Sequence, residues 1–180
     1  MALSPFPANG ISRGRDMSTH SLQLPDESST EALAQAFAPL VSAGGRIHLH
    51  GELGAGKTSF VRALLRACGV SGRIKSPTFT LVEPYKVSNL YCYHFDFYRF
   101  TDPREWLDAG FRDALRDDAL VLIEWAERAA GVLPPPDLDL TLAYEGSGRL
   151  ATLQASTAKG HAWLHALFPR STPSLAATPP

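Results

Sequence analysis

The sequence predicts an α/β domain with a mostly parallel central sheet, flanked by helices and extended by antiparallel hairpins, and three observations carry that expectation. Arg46-Ile47-His48-Leu49-His50 alternates like a strand and runs straight into a glycine-rich loop, after which Phe60, Val61, Leu64, Leu65 and Cys68 recur at helical spacing. Leu120-Val121-Leu122-Ile123 is a bare apolar run bounded by charge, the pattern of a strand buried on both faces. Two further pairs of alternating segments, each joined by a short polar loop, read as hairpins. A length of 180 residues, 44% of them hydrophobic, suits one domain with a sizeable core.

Taken in order, the elements begin after an N-terminal stretch. Residues 1–18 and 169–180 contain Pro5, Pro7, Pro169, Pro173, Pro179 and Pro180 and show no hydrophobic period, so both are expected to be disordered around a domain at 19–168. Thr19 to Leu24 reads as a strand. Pro25 to Ser29 then leads to Thr30, which is placed to cap a helix carrying the stripe Leu33, Ala34, Phe37, Leu40 and Val41, closed by Gly44-Gly45. The helix after the glycine loop closes at Gly69. Thr78 to Tyr85 and Leu90 to Asp96 pair as strands around Lys86-Val87-Ser88-Asn89, and short helices are expected at Pro103 to Gly110 and Phe111 to Asp117. Past the Pro134-Pro135-Pro136 linker, Leu138 to Tyr144 and Leu150 to Ser156 form a second hairpin turning at Glu145-Gly146-Ser147-Gly148.

Composition excludes several function classes. With 17 Lys+Arg against 18 Asp+Glu the net charge is −1, which argues against a general basic surface for nucleic acid. No apolar run reaches the roughly 18 to 20 residues of a membrane helix. Residues 1–16 lack the apolar segment of a secretion signal, and Cys68 and Cys92 cannot make a disulfide framework, so a cytoplasmic protein without membrane contact is expected.

Gly51-Glu52-Leu53-Gly54-Ala55-Gly56-Lys57-Thr58 satisfies G-x-x-x-x-G-K-[ST] between a strand and a helix, the context a P-loop requires. The glycines let successive N–H groups face phosphate oxygens, and the helix start adds its positive dipole end. Gly54, Ala55, Gly56, Lys57, Thr58 and Ser59 would hold the nucleotide phosphates, Lys57 reaching the β and γ groups and the Thr58 hydroxyl binding Mg²⁺. A hydrolytic site needs an acid near the metal, and two acids end strands: Glu124, after four aliphatics, where a Walker B strand delivers a carboxylate beside the phosphates, and Asp96, placed to orient a water or hold the metal through its hydration shell. Their bland alternatives are a helix N-cap for Asp96 and an ion pair with Arg128 for Glu124. Leu53 to Val82 holds Lys57, Arg62, Arg66, Arg73 and Lys75 but no acid, a local basic stretch or merely a solvated helix face. Ser76 to Thr80 could sense a γ-phosphate, and the aromatics Phe95, Phe97, Tyr98 and Phe100 are either partner anchors or, for Phe95 and Phe97, core. His161 and His165 have a zinc-pair spacing without a catalytic glutamate between them. His48 and His50 share a strand face and read as packing or capping residues, the two cysteines as buried apolar groups, and Trp106 and Trp125 as core or partner anchors.

The strings G-E-L-G-A-G-K-T-S-F, K-S-P-T-F-T-L-V-E-P-Y, Y-H-F-D-F-Y-R and L-I-E-W-A-E-R, in this order over about Leu22 to Leu167, resemble the TsaE (YjeE) family of bacterial ATPases. The resemblance implies the ATP-hydrolysing component of the machinery that makes threonylcarbamoyladenosine in tRNA, working with TsaB and TsaD and reaching tRNA through that complex. It implies ATP and Mg²⁺ as cofactors, Thr58 and Glu124 as metal ligands, Asp96 as the essential aspartate, and weaker nucleotide roles for Thr30 and Arg149. Phe79 replaces the family's usual tyrosine and Ala126 its usual proline. Catalysis would rest on Asp96, Lys57 and Glu124, with Arg99 or a partner's residue completing the site.

Rival readings are a P-loop small-molecule kinase and a non-hydrolysing, ATP-dependent assembly module. No Arg-rich lid insertion supports the first, whereas the second would bind nucleotide through the same residues. A GTPase switch is disfavoured because Lys57, Lys75, Lys86 and Lys159 all lie outside any [NT]-K-x-D motif.

Overall fold

The computed structural model describes residues 11–13, 18–108, 111–115 and 118–169. One eight-stranded sheet organises them: β1 (Ile11–Arg13), β2 (Thr19–Leu24), β3 (Gly45–His50), β4 (Val82–Val87), β5 (Leu90–Asp96), β6 (Leu120–Glu124), β7 (Leu138–Glu145) and β8 (Gly148–Ala155), in the order β1-β2-β8-β7-β3-β6-β5-β4. The inner pairs β7–β3, β3–β6 and β6–β5 are parallel, whereas β4–β5, β7–β8, β8–β2 and β2–β1 are antiparallel. The expected parallel centre with hairpin additions is thus the observed architecture.

Helices α1 (Glu27–Phe37), α2 (Lys57–Ala67) and α4 (Ala158–Leu167) cover one sheet face, and the four-residue α3 (Glu105–Asp108) lies with 3-10 turns at Phe111–Leu115 and Ala126–Ala129 on the other. Alternation along the strands separates two cores. Ile47, Leu49, Leu120 and Leu122 pack beneath the three helices, where Phe37 meets Phe60 and Trp163 edge to face at 6.0 and 6.4 Å. Val121, Ile123 and Phe95 face the opposite way into a cluster with Phe97, Phe100 and Trp106. Every residue of β6 is buried, as its unbroken aliphatic run requires.

Four expectations change. Thr30 is not the cap of α1: Asp26 is, its carboxylate accepting from Ser29 N at 2.8 Å, and Thr30 lies buried within the helix. A carboxylate one turn earlier satisfies a first-turn N–H, so the helix starts there. The helix also ends at Phe37, leaving Leu40 and Val41 in the turn beyond. The strand expected from Thr78 begins only at Val82, because residues 78–80 turn beneath the end of β5 and Leu81 takes a left-handed φ of 66°. Within the extension expected over 1–18, Ile11–Arg13 pairs antiparallel with β2, since an open strand edge recruits backbone hydrogen bonds without needing an apolar period. Residues 1–10, 14–17 and 170–180 lie outside the described residues, as do 109, 110, 116 and 117 of the two expected short helices.

Helix α4 had no counterpart in the sequence reading, because Gly160 in its first turn weakens helix propensity. The structure gives the glycine a reason: a Cβ there would lie 1.9 Å from the Asp137 carbonyl oxygen. Asp137 is a buried staple that accepts from Arg46 N at 2.9 Å and from the hydroxyl of Thr157, the N-cap of α4.

Candidate functional site

The Gly51–Thr58 loop joins β3 to α2 at the C-terminal ends of the parallel strands. Gly51 has a φ of 132° and lies so close to β7 that a Cβ would sit 2.2 Å from Leu142 O. Only glycine fits. Gly56, at φ 106°, is the N-cap of α2 and offers no side chain to the first-turn amides, which leaves that positive helix end open to an anion.

Lys57 is buried at 4% exposure and folds back over the loop, donating from Nζ to Gly51 O at 2.6 Å and Glu52 O at 2.9 Å. The same Nζ lies 4.0 Å from the centre of the Trp125 ring. Burial pulls the ammonium pKa below the usual lysine value. Trp125 itself has a φ of 60°, a strained conformation for a bulky residue that costs on the order of 1–3 kcal/mol and recurs at functional sites.

The next helical residue reaches the acids. Thr58 Oγ1 donates to Glu124, 2.8 Å from Oε1 and 3.0 Å from Oε2. Asp96 and Glu124 are register partners on β5 and β6, so adjacent parallel strands deliver the two carboxylates side by side. They continue the row in which Cys92, Leu120 and Leu122 point toward α2, and the row turns polar where it meets the loop. Both carboxylates are at most 4% exposed. Fully buried His94 donates from Nε2 to Glu124 Oε1 at 2.8 Å. Asp96 Oδ2 accepts from the Thr78 hydroxyl at 2.7 Å, Thr78 meets Ser76 Oγ at 2.9 Å, and Asp96 Oδ1 accepts from Tyr98 N at 2.9 Å. Asp96 therefore fixes two loops rather than capping a helix, and Glu124 engages Thr58 and His94 rather than Arg128.

Two cavities flank the loop. One, of about 250 Å³, is lined by Lys57, Thr58, Thr78, Asp96, Glu124 and Trp125. The other, of about 260 Å³, is lined by Thr30, Asp26, Glu27, Ala55 and Arg149; Gly54, Gly56 and Ser59 border both. The residues expected to bind nucleotide or metal, together with Asp96, thus line one or the other, with the acids on one side of the loop and Thr30 and Arg149 on the other; Arg99 lines neither. Arg149 donates to Ala55 O at 3.1 Å and Gly54 O at 3.3 Å and stacks 4.0 Å from the Tyr144 ring, while the Tyr144 hydroxyl donates to Leu53 O at 3.1 Å.

Three contributors escaped the sequence reading in these roles: His94, Trp125 as the ring over Lys57, and Tyr144. His94 had a signal, since it lies two residues before Asp96 on the same strand face. Of the aromatic run, Phe95, Phe97 and Phe100 are core, and only Tyr98 is exposed. Phe79 is 82% exposed with the Arg99 guanidinium 4.4 Å over its ring. Arg62, Arg66, Arg73 and Lys75 are exposed. Trp106 is core, and Cys92 is buried whereas Cys68 is partly exposed. No described helix is long and apolar enough to cross a membrane.

The sequence pattern of the family described as "Threonylcarbamoyl adenosine biosynthesis protein TsaE" matches residues 24–151. A Haemophilus influenzae protein named "tRNA threonylcarbamoyladenosine biosynthesis protein TsaE" is 39% identical over 142 residues, covering 76% of this chain and 90% of that one. A Bacillus subtilis protein of the same name is 34% identical over 117 residues, covering 65% of this chain and 73% of its own length. The crystal structure of Bacillus subtilis YdiB shares the fold, with a TM-score of 0.70 at 24% identity over 87% of this chain and 95% of that one.

Proposed function

The chain belongs to the TsaE family, and from that premise we propose that it is the Mg²⁺-dependent, ATP-binding and ATP-hydrolysing component of tRNA threonylcarbamoyladenosine biosynthesis, acting with TsaB and TsaD. The observation that carries the ATPase reading is the Thr58 hydroxyl held between both oxygens of Glu124, beside an open helix N-terminus. A hydroxyl and a carboxylate at that spacing form an oxygen donor set suited to a hard cation. Mg²⁺ bound by Thr58 and Glu124 would supply charge neutralisation at the phosphate oxygens.

Each residue then has a defined task. Lys57 exchanges its loop carbonyls for the β and γ phosphates, and the loop amides of Gly54 to Thr58 cradle them. Asp96, anchored by Thr78 and Tyr98, orients the attacking water from the strand next to Glu124. Ser59 borders both cavities, so phosphates on the acid side leave the nucleoside toward Thr30 and Arg149. Turnover by the isolated chain is slow, because Arg99 rests on Phe79 rather than over the acid-lined cavity and a partner must complete the charge set. Exposed Tyr98 lines that cavity and exposed Phe79 follows its Thr78, and the two form the nucleotide-sensitive docking edge for TsaB and TsaD, which bring the tRNA.

The test is ATP hydrolysis by the chain alone and with TsaB, TsaD and tRNA, together with calorimetry of Lys57→Ala. Slow basal turnover raised by the partners, and loss of ATP binding in the variant, is the expected result. ATP affinity unchanged in Lys57→Ala would overturn the phosphate-loop assignment. A chain that binds ATP but never hydrolyses it, even in the complex, would leave the assembly module in its place.

A further inference from the structure

On the sheet face turned away from α1 and α2, a group of side chains converges that the nucleotide chemistry does not use. His48 and His50 project from β3 on one side, and Asp139 of β7 is the parallel register partner of His48. One ring nitrogen from each histidine and one carboxylate oxygen of Asp139 all lie within 4.8 Å of one another. His50 Nε2 is 2.7 Å from Asp139 Oδ1, and its Nδ1 is 3.1 Å from Glu127 Oε2 on the turn after β6. His48 is only 6% exposed, and its Nε2 is buried without a hydrogen-bond partner. A buried ring nitrogen left unpaired is costly, so it calls for a physical explanation.

We propose that His48, His50 and Asp139 form a site for a borderline divalent transition cation of the Zn²⁺ class, separate from the oxygen-lined position at Thr58 and Glu124. Two imidazoles and one carboxylate are the donor set such a cation prefers over Mg²⁺, and three protein ligands leave a fourth position on the half-exposed side of His50 and Asp139. Glu127 sits where a supporting carboxylate belongs: it accepts a hydrogen bond from His50 Nδ1–H and so leaves Nε2 as the nitrogen to face the cation. At His50 the cation takes the place of the proton now shared between Nε2 and Asp139.

Charge is consistent with this. Asp139 and Glu127 together offset a divalent ion, and Arg46, the next residue along the same strand face, donates to the carbonyls of Pro135 and Leu115. Tetrahedral zinc ligands stand about 3.4 Å apart, so on binding the widest separation, within 4.8 Å here, closes by at most about 1.4 Å while the His50–Asp139 pair opens from 2.7 Å. His50 immediately precedes Gly51, whose carbonyl holds Lys57. A cation here would therefore tie β3 to β7 at the root of the phosphate loop.

The experiment titrates Zn²⁺ into the chelator-stripped full chain, in excess Mg²⁺ and without nucleotide, against a chromophoric competitor and by calorimetry. Wild type should bind one ion per chain with micromolar or tighter affinity. His50→Gln and Asp139→Asn should lose that binding, and Glu127→Gln should weaken it about 10- to 100-fold. A variant with His161→Ala and His165→Ala, which removes the exposed pair on α4, should bind like wild type. Thermal unfolding of each metal-free variant checks the fold, and the isosteric Asp139→Asn keeps the test decisive if His50→Gln does not fold. Absence of saturable binding in wild type, affinity unchanged in Asp139→Asn, or loss of binding in the α4 variant would overturn the site.

Discussion

One face of the sheet is covered by three helices whose buried side chains are mostly aliphatic, with Phe37, Phe60 and Trp163 between them. The other is covered by a single turn of helix and 3-10 segments, and there Phe95, Phe97, Phe100, Trp106 and Phe111 touch ring to ring, the stacked Phe97–Phe100 pair at 4.5 Å and the edge-on Phe95–Trp106 pair at 5.4 Å. The helical face gains its cover from length and periodicity. The aromatic face gains it from the size of individual side chains on a backbone with little regular structure. Both serve one end of the sheet: α2 brings Lys57 and Thr58, while the strands carrying Asp96 and Glu124 are backed by the aromatic cluster through Phe95, Phe97 and Ile123.

This contrast can be broken by experiment. If few side chains carry the aromatic face, Trp106→Ala should be the most damaging of these substitutions, costing about 3–5 kcal/mol by denaturant unfolding. Leu64→Ala, equally buried beneath the helices but surrounded by many interchangeable contacts, should cost about 2–4 kcal/mol. A larger loss for Leu64 would show that the aromatic cluster is a loose lid. At the shared end, Glu124→Ala should lower ATP turnover at least about 100-fold, equal to about 2.7 kcal/mol at the transition state, while leaving the fold largely intact. Steady-state kinetics with thermal unfolding of the same sample separates that outcome from a structural role.

Gly160→Ala tests the helical cover at its least regular point. Alanine favours a helix by about 1 kcal/mol, yet its Cβ would meet the Asp137 carbonyl, so the melting temperature should fall rather than rise. The smallest expected effect is at Cys92, whose thiol pKa burial raises to about 12. At pH 8 that thiol stays protonated, so the native protein should resist iodoacetamide there and react only once unfolded; mass spectrometry after quenching reads the result.

Sequence and structure agree most closely where a single rule governs. The aliphatic run of β6, the stripe of α2 and the glycine loop each follow from one periodicity or one backbone requirement, and the candidate residues Lys57, Thr58, Asp96 and Glu124 line one cavity. They part where a contact distant in sequence decides. The chain at 78–81 has strand composition, but the Thr78 hydroxyl on Asp96 and the Leu81 backbone, bonded to Pro77 O at 2.7 Å and to Asp96 N at 3.1 Å, hold it as a turn. Gly160 weakens the local signal of α4 for the sake of Asp137. His94 reads as one more alternating strand residue until Glu124 arrives from the neighbouring strand.

The lysine over Trp125 has an optical consequence. Of the three tryptophans, Trp106 and Trp163 are buried in the two cores, and Trp125 alone has an ammonium group 4.0 Å from its ring. Indole emission responds to a nearby positive charge, so if Lys57 withdraws toward a phosphate as proposed, the Trp125 signal should change against the background of the other two. The chain would then carry its own fluorescent gauge of the glycine loop, and stopped-flow mixing would follow the lysine in real time without a dye.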